Sequence, residues 1–153
     1  MPFTRISLLR GKSPDYLRAV QKSLQQALEE AYDVPLNDRF VAIHQHEPGE
    51  LSFDRDYLGG PRSDDFILFA ISAGRPRTEA MRRGFFKRLV ALLSEQPGIR
   101  PEDVMIIITT SGGDEWSLSH GAASMLDGAP AKATSAVVAR RTFFISFPSL
   151  CQR

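Results

Sequence analysis

The feature that most constrains this 153-residue chain is that it repeats itself. Four segments rich in Ile, Val, Phe and Thr read as strands: Phe3–Leu9, Arg39–His46, Phe66–Ser72 and Val104–Thr110. Between the first two, Leu17, Val20, Leu24, Leu28 and Ala31 recur at helical spacing. Between the last two, Met81, Phe85, Leu89, Leu92 and Leu93 do the same. Residue-level matches follow the same division. Gly11 answers Gly74, and "DVPLNDRFVAI" (33–43) answers "GIRPEDVMIII" (98–108), which lays Asp38 over Asp103. A duplicated β-α-β unit predicts an α+β fold: a four-stranded sheet with both helices on one face, each unit holding its two strands parallel through a right-handed crossover. Such a sheet leaves its second face bare. The unbroken run Ile106-Ile107-Ile108 predicts a fourth strand covered on both sides, so a second copy of the chain is the expected cover.

The helix starts carry their own signals. Ser13-Pro14-Asp15 offers a cap, a proline at the first helical position and an acid in the first turn. Arg75-Pro76-Arg77-Thr78-Glu79 opens the second helix with similar chemistry but leaves the capping residue open. Residues 47–65, with Pro48, Gly49, Gly59, Gly60 and Pro61, read as a loop whose Tyr57-Leu58-Gly59-Gly60 is a candidate turn over a site. Residues 2–128 read as one domain. The stretch 129–153 holds Lys132, Arg140, Arg141 and Arg153 and no acid; this charge of +4 leaves −3 on the remainder of a chain whose net charge is +1. It reads as a basic C-terminal extension.

Composition excludes several classes of function. A net charge of +1 gives no electrostatic case for nucleic acid or an anionic membrane. No apolar run approaches a membrane span, and no signal stretch follows the first charges, so the expected location is cytoplasmic. The single cysteine, Cys151, allows no internal disulfide and no cysteine-based metal site. His44 and His46 alternate on one strand and share a side, but only His120 remains as a third histidine. No metal motif is present, and the expectation is no metal.

Pro2 directly follows Met1. A small second residue permits removal of the methionine, which would leave Pro2 with a free secondary amine at the edge of a strand. Such an amine can serve as base, acid or iminium-forming nucleophile according to its surroundings. The duplicated unit, this proline and the "GRPR" after the third strand occur together. With "NDRF" (37–40) running into "HQHEPGE" (44–50), "DRDYLGGPRSDD" (54–65), "PEDVMIIIT" (101–109) and Trp116-Ser117 before Gly121, the chain resembles the tautomerase superfamily, and within it the malonate semialdehyde decarboxylase branch. The resemblance covers roughly residues 2–125.

It implies a homotrimer acting on a small oxo acid without metal or organic cofactor. Catalytic roles fall on Pro2, Asp38, Arg75 and Arg77, and substrate-binding roles on Arg75, Arg77, Trp116 and Leu118. The chain departs from the pattern at Leu118, where an aromatic is usual, and at Ser119, where a glycine is usual. Each residue also has a plain structural reading. Arg75 and Arg77 can form a solvated turn pairing with Glu79 or nearby acids, Asp38 can cap a turn as Asp103 does, and Trp116 can plug an oligomer contact. Three functions stay open: a decarboxylase with hydratase activity, a keto–enol tautomerase of the phenylenolpyruvate type, and a non-catalytic binding or assembly protein on the same scaffold.

Overall fold

The computed structural model describes residues 1–127; the basic extension lies outside the described residues. Strand β1 (Pro2–Leu9) leads to helix α1 (Pro14–Ala31) and strand β2 (Val41–His46). Strand β3 (Ile67–Ala73), helix α2 (Glu79–Glu95) and strand β4 (Val104–Thr110) repeat the order. The sheet runs β2-β1-β3-β4. Each unit's strands are parallel, and the units join through an antiparallel β1–β3 pair that sets Pro2 opposite Ala73 and Leu8 opposite Ile67. The start of β1 therefore shares one end of the sheet with the end of β3. This is the duplicated fold expected from the sequence, and no described helix is long and apolar enough to cross a membrane.

Local chemistry sets the helix ends. Ser13 Oγ accepts from the Tyr16 N–H at 3.1 Å, and Pro14 occupies the first turn, where a missing N–H costs nothing. The capping residue of α2 is Thr78, whose Oγ1 accepts from the Met81 N–H at 3.2 Å. Both helices press one face onto the sheet. Ile6, Leu8, Ile67, Phe69 and Ile71 meet Val20, Leu24, Phe85, Leu89 and Leu93 in a single core. Each such side chain removed from water stabilises the fold by roughly 1.5–3 kcal/mol.

The other face of the sheet has no helix. Ile106 and Ile108 pack toward the core, whereas Met105 and Ile107 are 42% and 44% exposed. The expected double cover of β4 is thus single within one chain. On the bare face the register aligns Ile107 with Ala70, and Ala70 with Arg5.

The long loop is tied down at the far end of the sheet from Pro2. Ser63 donates to buried Asp103 through its N–H (2.6 Å) and its hydroxyl (2.8 Å), and Phe53 stacks on Phe66 with ring centroids 4.2 Å apart. Gly60 is required there: at φ +104° a Cβ would lie 2.1 Å from the Arg55 carbonyl oxygen. The Tyr57-Leu58 turn projects into solvent. It borders an apolar cavity of about 350 Å3 lined by Phe53, Phe66, Leu68 and Met105 among others. That cavity sits at the Ile67 end, away from the polar cluster described next.

Candidate active site

Pro2 is buried at the start of β1. The residue before it is held at both of its polar ends. The Met1 carbonyl accepts from the Gly74 N–H at 3.2 Å, and the Met1 ammonium lies 3.4 Å from Asp38 Oδ2. Both partners are largely shielded, at 14% and 11% side-chain exposure. Asp38 reaches this position because the segment before β2 is fastened to β1. The Thr4 N–H donates to the Phe40 carbonyl at 2.9 Å, and Asn37, at φ +66°, turns the chain. Asp38 Oδ1 is buried without a hydrogen-bond partner. A buried carboxylate oxygen left unpaired is costly in a stable interior and is a common mark of a site.

The second cluster follows β3. Arg77 is only 7% exposed, and its guanidinium is gripped on one side. Nε donates to the Tyr32 carbonyl at 3.2 Å, Nη1 donates to the Arg75 carbonyl at 2.9 Å, and the Tyr32 ring centroid lies 4.6 Å from the guanidinium carbon. Nη2 is buried with no partner. Burial and the neighbouring Arg75 pull the Arg77 pKa down from its ordinary value, while Tyr32, Asp33 and Asp38 oppose the shift. Asp38 and Arg77 are therefore within electrostatic reach of each other, each carrying an unsatisfied polar atom.

Arg75 is placed differently. It is half exposed and pairs with Asp33, donating also to the Asp33 carbonyl at 2.9 Å. The two arginines expected as a single clamp are split, one closed into the fold and one at the rim. The alternative partner Glu79 is bound to Arg83 instead. The Trp116 indole N–H donates to Ser111 Oγ at 2.7 Å, and Trp116 packs over Gly74. A Cβ on Gly74 would stand 2.7 Å from Met125 Sδ and 3.1 Å from Trp116 Nε1, so a side chain there would push these two groups aside. Leu118 is 41% exposed, and its N–H donates to Ser124 Oγ at 3.2 Å.

Tyr32, Asp33 and Met125 escape sequence reasoning. Tyr32 and Asp33 read as the unremarkable end of α1, and nothing in their spacing points to the arginines. Among the described residues no group of three or more His, Cys, Asp or Glu side chains could hold a metal ion. His44 and His46 do share the helix-free side of β2, opposite Ser7 and Leu9.

Comparison with known proteins agrees with this fold. A family model described as tautomerase enzyme matches residues 38–119, and a second of the same description matches 2–60. The chain is 29% identical over 127 residues to "Probable tautomerase YusQ" of Bacillus subtilis (strain 168), which covers 83% of this chain and 100% of that protein. A crystal structure of malonate semialdehyde decarboxylase superposes with a TM-score of 0.78 at 30% identity, covering 82% of this chain and 97% of that one. A fused 4-OT wild-type symmetric trimer shares the fold alone, with a TM-score of 0.67 at 15% identity, covering 82% of this chain and 98% of that one. With family models matched over residues 38–119 and 2–60, and a structure 30% identical over 82% of the chain, the chain belongs to the tautomerase superfamily of enzymes, on the branch that includes malonate semialdehyde decarboxylase.

Proposed function

We propose that the chain, once Met1 is removed, decarboxylates a small 3-oxo acid of the malonate semialdehyde type and has hydratase activity toward unsaturated acids. The observation that carries this reading is the pairing of unsatisfied groups. Asp38 presents a carboxylate to the amino end of the chain with one oxygen unbonded, and Arg77 keeps one guanidinium nitrogen free. Removal of Met1 makes Pro2 the chain's amine. A carboxylate nearby favours the cationic form of an amine, so Asp38 supports a protonated Pro2. Arg77, with Arg75 at the rim, takes the substrate carboxylate, which the planar guanidinium suits better than an ammonium would.

The reaction then needs an electron sink. As the bond between C2 and the carboxylate breaks, its electron pair moves toward the 3-oxo group, where the Pro2 ammonium donates a hydrogen bond or a proton. Carbon dioxide leaves, and the resulting enol takes up a proton at carbon to give acetaldehyde. An iminium between neutral Pro2 and the aldehyde supplies the same sink. Trp116 and Leu118 form part of the wall on this reading.

A second reading is keto–enol tautomerisation, favoured by the 29% identity to a relative named as a tautomerase. There Pro2 acts neutral, as a proton shuttle. The two separate in a pH–rate profile: decarboxylation assisted by an ammonium falls as pH rises through the Pro2 pKa, whereas base-catalysed tautomerisation rises. The direct test is proton NMR of malonate semialdehyde with the wild type and Pro2→Ala. Acetaldehyde from the wild type alone supports the decarboxylase; its absence from both removes that reaction.

The assembly proposed is a homotrimer. Exposed Met105 and Ile107 on the helix-free face support it, as does the trimeric fold relative. Light scattering at three times the chain mass is the expected result, and a monomer at micromolar concentration would contradict it.

A further inference from the structure

The negative end of a helix attracts cations through its unpaired carbonyls, and α1 carries no basic residue in its last turn. The cations that meet it come from the other repeat. Arg77 Nε donates to the carbonyl of Tyr32, the residue that closes α1, and Arg75 binds both the carbonyl and the carboxylate of Asp33, the next residue. Tyr32 adds a second hold. Its side chain is 1% exposed, and its ring lies against the Arg77 guanidinium at 4.6 Å while the Phe85 ring, 5.0 Å away, supports it from the core.

We propose that Tyr32 is a positioning residue that presets Arg77 for the substrate carboxylate and fixes the direction from which that carboxylate binds. The inference rests on the reading of Arg77 as the anion-binding group. Nε is occupied by the Tyr32 carbonyl, so the edge formed by Nε and a terminal nitrogen is closed to an anion. Nη1 already donates to the Arg75 carbonyl, so the free Nη2 sets the side from which an anion is taken. The ring holds the guanidinium plane by a cation–π contact that strengthens as water is excluded. An arginine so restrained loses little side-chain entropy on binding, which is where preorganisation raises affinity.

The test compares Tyr32→Phe, Tyr32→Leu and, as a control, Phe85→Leu, which disturbs the same packing without touching Arg77. Malonate serves as an unreactive anion, its binding read from the Arg77 Nε–H resonance, and malonate semialdehyde supplies KM and kcat. In the wild type the Arg77 Nε–H exchanges slowly with water. Tyr32→Phe keeps the ring and changes malonate affinity by less than about twofold. Tyr32→Leu weakens malonate and raises KM about tenfold with a smaller change in kcat, the size expected from losing a shielded cation–π contact. Phe85→Leu lowers the melting temperature but leaves malonate affinity within about twofold.

Unchanged malonate affinity in Tyr32→Leu overturns the proposal, as does an equal loss in Phe85→Leu. Should Tyr32→Leu fail to fold, rapid exchange of the wild-type Arg77 Nε–H overturns it without any variant. Malonate that binds while no acetaldehyde forms sinks the decarboxylase reading and leaves the role of Tyr32 standing. Malonate that does not bind the wild type at all overturns both.

Discussion

Asp38 and Asp103 occupy the same place in the two repeats, each just before a strand that runs parallel to the start of its unit, yet their surroundings are opposite. Asp103 is fully buried, and both of its oxygens are bonded. Ser63 supplies its N–H and hydroxyl, and Arg100 supplies Nε at 2.9 Å. Burial pushes the Asp103 carboxyl up, but the bonds from Arg100 and Ser63 outweigh it and hold the pKa below the ordinary carboxylate value. Asp38 has one ammonium at 3.4 Å and one oxygen with no partner. The difference arises from Arg100, which stands where the first repeat has Pro35, and from what precedes each unit's first strand. Before β3 the chain continues into a loop that brings Ser63. Before β1 the described chain has only Met1, and its amine takes the equivalent place. One repeat uses the position to close the fold; the other leaves a carboxylate oxygen unbonded, at the place our proposal gives to catalysis.

Substitution of each aspartate should break the comparison in opposite ways. Asp38→Asn should lower kcat/KM by about a hundredfold or more, the usual scale for removing a group that tunes an acid–base catalyst, with the urea midpoint nearly unmoved. Arg77→Ala should raise KM more than Arg75→Ala, because Arg77 is buried with a free donor whereas Arg75 is half exposed and bound to Asp33; steady-state kinetics on malonate semialdehyde checks the order.

Asp103→Asn should do the reverse and destabilise the fold by about 2 kcal/mol, since it leaves buried donors poorly matched, with kcat of the folded fraction retained. Denaturant titration measures it. The pH dependence follows in sign. A carboxyl whose folded pKa is depressed stabilises the fold above its unfolded pKa, and that contribution is lost as pH falls through the folded value. Wild-type stability should therefore drop in acid, below the ordinary carboxylate value of 3.8, by more than the stability of Asp103→Asn does. The smallest effect is expected at the caps. Ser13→Ala and Thr78→Ala should each cost about 1 kcal/mol in thermal or urea unfolding.

Much of this was legible in the sequence because it is local or periodic. The strands, the two amphipathic helices, the Ser13 cap and the repeat register all follow from residues close in the chain. The strand limits differ by at most two residues: β1 takes in Pro2, β2 starts at Val41 rather than Arg39, and β3 runs one residue later, from Ile67 to Ala73. The equivalence of Asp38 and Asp103 was legible too. Their divergence was legible only in part: Arg100 stands inside the matched segment where the other repeat has Pro35, but the other deciding partners, Ser63 and the chain's amine, come from outside it. Nor does the spacing of Arg75 and Arg77 reveal that one is buried and one solvated, since that depends on where α1 ends. Tyr32 carries no sequence signal beyond an aromatic at a helix terminus, which reads as ordinary core.

The most direct test of the central claim compares two preparations of the same chain, one with Met1 removed and one with Met1 retained, both verified by intact mass. Each is incubated with malonate semialdehyde and followed by proton NMR. The account predicts acetaldehyde only from the preparation in which Pro2 carries the free amine, because with Met1 in place Pro2 is an amide and the Met1 ammonium occupies Asp38. Equal rates from the two preparations would contradict it.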